Sequence, residues 1–141
     1  MNTVVFDTNV LLDLFVFNDF RAIHLKQALL EKQIDALATA KTLEELADVI
    51  SRPLFSLEPT AQEAILVQWR SLVRIIDEQS LTPSSWRCQD PDDQIFLDLA
   101  FTAKPCILIS KDNEVLKLAT RALKENVLIT SNYNLMDLHH D

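Results

Sequence analysis

Thr3-Val4-Val5-Phe6, followed at once by Asp7-Thr8-Asn9 and then Val10-Leu11-Leu12, decides how this chain is read. A β-branched and aromatic run of this kind forms a strand, and each residue of the polar triplet favours a helix N-cap. A strand therefore passes straight into a helix. The same handover recurs: residues 34–38, 73–76, 106–109 and 127–130 read as further strands, with helical runs at 10–17, about 19–32, 42–50, 60–72, 91–103 and 115–124. Strands alternating with helices build a parallel sheet covered on both faces. The expected fold is α/β, a three-layer α/β/α sandwich around a central, mainly parallel sheet, with residues 1–141 forming one domain.

Local signals place the boundaries. Thr42-Leu43-Glu44-Glu45 has the form of a capping box, with Leu43, Leu46, Ala47 and Ile50 on one helical face and Arg52-Pro53 as the stop. Asp90-Pro91 opens a helix with Pro at its first position and Ile95, Phe96, Leu99, Ala100 and Ala103 facing inward, and Pro105 ends it. Residues 79–89 form the longest loop, and a short turn through Leu135 and Leu138 follows the last strand.

The 141 residues include five prolines, two cysteines and no glycine, where about ten glycines would be usual. Phosphate loops of the P-loop, dinucleotide and kinase types are thereby excluded, since each needs backbone without a Cβ beside the phosphate. Asn18 and Asn126 are expected to take the left-handed conformation that glycine would otherwise take at helix ends. A net charge of −8 is the wrong sign for a diffuse nucleic-acid-binding surface. Positive charge must be local: Lys117, Arg121 and Lys124 fall at i, i+4 and i+7, and Arg52, Lys104 and Lys111 could extend a basic rim. A solvated helix face is the plainer account of that stripe. Cys88 and Cys106 have no zinc-type spacing. The N-terminus lacks a secretory pattern, with Asp7 and Asp13 interrupting its apolar stretch, and no charge-free run could span a membrane, so a cytoplasmic protein is expected.

In open parallel sheets, ligands bind outside the carboxyl ends of the strands. Asp7 and Asp112 follow strands directly, Glu45 lies in the first turn of the helix after the second strand, and Asp90, Asp92 and Asp93 open the helix before the fourth. Capping or helix-dipole roles could account for each acid singly. Four segments delivering carboxylates to one edge need a further cause. Clustered carboxylates repel unless a cation lies among them, and hard oxygen donors without Cys or His select Mg²⁺ or Mn²⁺ over zinc.

These residues resemble the PIN domain, the metal-dependent ribonuclease fold of VapC-type toxins and related proteins. Val4 to Leu12 is similar to the family's opening strand and DTN motif, with its first acid at Asp7. Glu45-Leu46, Val49-Ile50 and Arg52-Pro53 resemble the second segment, Asp90-Pro91-Asp92-Asp93 with Phe96 to Ala100 the third, and Ile109-Ser110-Lys111-Asp112 the fourth. The resemblance implies single-stranded RNA cleavage by Asp7, Glu45, Asp93 and Asp112, which with Asp90 would hold Mg²⁺ or Mn²⁺, leaving a 5′-phosphate and a 3′-hydroxyl. Asn9, Ser110, Lys111 and Arg52 would lie toward the RNA substrate. A cognate antitoxin and a homodimer are the implied partners, with no membrane. Two departures stand out: Lys111 occupies a position where relatives often have glycine, and Glu114 one where they often have a second Asp.

Rival chemistries fit less well. Histidine acid–base cleavage would need two positioned imidazoles, but His24 lies mid-helix and His139-His140 in the tail. Trp86-Arg87 could stack a base or anchor the loop. A dehalogenase-type phosphatase wants a second acid where Asn9 stands, and a receiver domain wants a central phosphoacceptor Asp that is not found. A PIN-like module without activity, binding RNA or protein, is opposed by the intact acids.

Overall fold

The apolar runs become five parallel strands in a computed structural model, which describes residues 1–135. Strand β1 is Asn2–Phe6, β2 Ile34–Ala38, β3 Val73–Ile75, β4 Cys106–Ile109 and β5 Val127–Thr130, in the order β3-β2-β1-β4-β5. Every neighbouring pair is parallel. The chain winds outward from β1 to one side and then returns to add β4 and β5 on the other. The order therefore reverses between β1 and β4, where such sheets leave a crevice at the carboxyl ends.

Among the described residues seven α-helices cover the sheet: α1 Thr8–Phe15, α2 Ile23–Leu30, α3 Ala40–Ile50, α4 Pro59–Leu72, α5 Pro91–Thr102, α6 Asn113–Leu116 and α7 Ala119–Leu123. Strand alternation divides the core. Val4, Phe6, Ala36, Ile107 and Ile109 pack into one layer with α1 to α4 around Trp69. Val5, Leu37, Leu108 and Ile129 pack into the other with α5 to α7 around Trp86. Among the described residues no helix is long and apolar enough to cross a membrane.

Three local expectations change. Helix α3 starts at Ala40, because buried Thr39 is its N-cap and exchanges hydrogen bonds with Thr42, at 3.1 Å and 2.9 Å. The capping box is thus three residues earlier than the sequence suggested, and Glu45 falls in the second helical turn. The run 19–32 opens with a 3₁₀ turn, Phe20–Ala22. The run 115–124 divides into α6 and α7, where the Leu118 N–H turns back to the Val115 carbonyl at 3.0 Å and Val115, Leu118 and Ala122 all remain buried. This breaks the basic stripe: Lys117 ends α6 and pairs with Glu114, while Lys124 ends α7. The expected turn through Leu138 and the tail pair His139-His140 lie outside the described residues.

Without glycine, the left-handed positions go to Asn18 (φ 48°), Lys32 (φ 56°), Ser56 (φ 51°) and Asn126 (φ 66°). The two asparagines are those expected. At Lys32 the N–H reaches the Leu29 carbonyl at 3.1 Å, and Gln33 reaches Ala28 at 2.9 Å, the paired bonds of a Schellman helix end. A side chain in that conformation costs about 1 kcal/mol relative to glycine. Lys32→Gly is expected to stabilise the fold by about 0.5–1 kcal/mol in urea denaturation, and a lower midpoint would contradict this assignment.

Candidate active site

Register builds the centre of the site. Phe6 pairs with Ile109, so Asp7 and Ser110, the next residues of β1 and β4, meet at the reversal point. The buried Ser110 hydroxyl donates to Asp7 Oδ2 at 2.7 Å and accepts the Asp112 N–H at 3.1 Å. Asp7 occupies the N-cap of α1, yet its side chain makes no cap hydrogen bond. Its buried carboxylate is turned to Ser110 instead. Asp90 and Asp112 do cap: their Oδ1 atoms accept the N–H groups of Asp92 at 2.9 Å and Glu114 at 2.8 Å. Capping therefore explains part of what Asp90 and Asp112 do, whereas at Asp7 the backbone N–H groups of Thr8 and Asn9 act on the carboxylate more weakly than the Ser110 hydroxyl does.

Helix α3 presents Glu45 to the same edge. The Thr8 hydroxyl donates to Glu45 Oε1 at 3.3 Å, whereas neighbouring Glu44 is exposed. Asp93, half-buried in the first turn of α5, lies close enough to the Asp112 carboxylate to be perturbed by it. Burial pushes the Asp7 carboxyl up, the Ser110 bond opposes this, and the Asp112 charge adds to it. Glu45 is raised by burial and then by Asp92, Asp7 and Asp90. Asp93 is pushed up to about 7 by burial, by the neighbouring Asp112 carboxyl and by the charges of Asp7, Asp112 and Asp90. Carboxylates from β1, α3, α5 and the segment after β4 thus act on one another.

This donor set, all hard oxygens under mutual repulsion, fits a hard dication. It is not a closed cage: among the described residues no three His, Cys, Asp or Glu side chains stand together at metal-holding positions.

A carboxyl whose folded pKa is raised above its unfolded value keeps its stabilising proton at low pH and loses it as pH rises through the folded pKa. For Asp93 that window runs from about 4 in the unfolded chain to about 7 in the folded one. The metal-free fold should lose stability across this window, and a dication should restore it. Mn²⁺ is expected to raise Tm more at pH 7.5 than at pH 4.5, while equal shifts would count against a cation among these acids.

A family model described as "PIN domain" matches residues 3–114. The chain belongs to the PIN-domain family. No curated protein sequence matches it. Among solved structures, this PIN domain is similar in fold to the crystal structure of VapBC2 from Rickettsia felis bound to a DNA fragment from their promoter. The TM-score is 0.60 at 13% identity, covering 91% of this chain and 98% of that one.

The other sequence candidates of this PIN domain separate. Asn9 is exposed in the first turn of α1, close to Asp7. Lys111 points away from the acids, its Nζ donating to Asp13 Oδ2 at 2.7 Å. Arg52 lies beyond the end of α3 and pairs with Asp48 at 3.2 Å. Lys104 sits over the Phe101 ring, 3.7 Å from its centroid. His24 is exposed on α2. Trp86 is an anchor: it is buried edge-on against Phe101 and donates its Nε1–H to Glu125 at 2.6 Å. Thr8, Asp13 and Tyr133 were not singled out for the site. Asp13 carried a signal, an acid within an otherwise apolar helix; a hydroxyl that orients an acid, such as Thr8, carries none.

Proposed function

We propose that this PIN domain is a cytoplasmic endoribonuclease that hydrolyses single-stranded RNA with Mg²⁺ or Mn²⁺ held by Asp7, Glu45, Asp93 and Asp112, Asp90 standing at the margin. The observation that supports it most is the convergence of those acids on the β1–β4 crevice, where each raised carboxyl is raised partly by the others. When bound, the ion supplies positive charge for the phosphodiester and lowers the pKa of the attacking water. Ser110 fixes the orientation of the Asp7 carboxylate and Thr8 does so for Glu45, while a dication would favour the ionised form of Asp93, whose carboxyl burial and the neighbouring acids raise. Water attack forms a new P–O bond as the bond to O3′ breaks and that oxygen takes up a proton. The products are a 5′-phosphate and a 3′-hydroxyl.

The fold likeness to a toxin–antitoxin complex supports a cognate antitoxin as partner. A chain of net charge −8 would suit one with a basic segment. Sequencing RNA ends after induced expression tests the chemistry. Ends carrying 5′-phosphate are expected, and 2′,3′-cyclic phosphates, the mark of internal 2′-hydroxyl attack, would overturn it.

A further inference from the structure

Consecutive residues after β4 grip α1 at two heights. Ser110 holds Asp7 at its start, and Lys111 holds Asp13 in its last turn, each at 2.7 Å. Asp13 is 4% exposed and accepts a second bond at the same oxygen, from the Tyr133 hydroxyl at 2.6 Å. Tyr133 lies just beyond β5, whose Thr130 carbonyl accepts the Ser110 N–H at 3.0 Å. Three segments therefore converge on one buried carboxylate behind the acidic crevice.

We propose that Asp13, Lys111 and Tyr133 form a clamp that sets the β4–α6 loop, so that Lys111 is a positioning residue for Ser110 and Asp112. This rests on the cation reading of the acidic site. The alternative, Lys111 on a substrate phosphate, meets a physical obstacle. A lysine that swung away would leave the buried Asp13 carboxylate with no cation and only the Tyr133 hydroxyl on that oxygen, and a buried charge that loses its partner is costly. The backbone gives no competing account, because Lys111 is not among the described residues with positive φ and the loop needs no glycine there. One attachment would let the loop pivot about Ser110. The second, at Lys111, fixes the direction in which Asp112 leaves the strand.

The test uses the full chain and Mn²⁺ as probe, with calorimetry for affinity and amide exchange of the metal-free protein for loop order. Lys111→Met and Asp13→Asn are each expected to weaken Mn²⁺ binding about tenfold or more, as loss of a group that orients metal ligands does. Because the two act as one unit, the double variant should lose no more than the worse single one. It also leaves no stranded charge, so it remains folded enough to measure. Lys111→Arg should retain most of the affinity. In the metal-free state, the Ser110 and Asp112 amides should exchange about tenfold faster in the double variant. A lower Tm with unchanged Mn²⁺ affinity and unchanged exchange at those amides would reduce the cluster to ordinary structural support and overturn the proposal. Should Asp112→Asn leave Mn²⁺ binding intact, the cation reading fails, while the exchange measurement still decides the clamp.

Discussion

Asp7→Asn is expected to lower RNA cleavage by about 10³-fold or more, a loss of at least about 4 kcal/mol of transition-state stabilisation, without lowering stability at pH 7. The two halves come from one observation. Asp7 is 3% exposed, and burial is the main cause that raises its carboxyl. The ionised form is therefore disfavoured by the fold, and a neutral isostere that still accepts from Ser110 relieves that cost. A residue kept for structure would behave in the opposite way. Its loss would lower Tm, and activity would fall only as far as folding did. Thermal unfolding and initial cleavage rates on the same preparation separate the cases. Activity within tenfold of wild type would remove Asp7 from the chemistry.

The largest effect on stability is expected at Trp69, in the middle of the layer that supports α1. Its side chain is 2% exposed and meets Phe6 edge-on at 5.7 Å and Phe15 at 5.9 Å. Trp69→Ala removes those ring contacts and leaves a cavity, which costs about 3–5 kcal/mol, a large part of a typical total of 5–15 kcal/mol. A fall in Tm of about 10–20 °C follows for a domain of this size. Phe6 is the last residue of β1 and Phe15 the last of α1, so the same cavity loosens both ends of the segment that carries Asp7. Trp69→Phe should cost much less. A fall of under 1 kcal/mol for Trp69→Ala would mean that α4 can collapse onto the sheet.

The strands and the edge that gathers the acids were legible in the sequence because both follow from residue type. Residues 106–109, all apolar, carry the cleanest buried-strand signal, residues 34–38 could return as a second strand, and a parallel sheet places whatever follows them on one rim. The start of α3 was misplaced because Thr39 and Thr42 cap it reciprocally without the Glu that marks a capping box, and Glu45 was present to mimic one. The split between α6 and α7 was hidden because Val115, Leu118 and Ala122 keep a helical rhythm across it. Side-chain direction was least legible. Nothing in the spacing of Lys111 says that it turns to Asp13, 98 positions away, and nothing in Ser110 says that it is buried against Asp7. Such contacts depend on the β1–β4 register, which only the assembled sheet fixes.

The most direct test titrates Mg²⁺ into metal-free protein with end-labelled single-stranded RNA and follows the initial cleavage rate. A saturable dependence on the ion, reversed by EDTA and absent in Asp7→Asn and Asp93→Asn, is the predicted result. Cleavage that persists in EDTA, or that survives both substitutions, would contradict a nuclease built on these carboxylates.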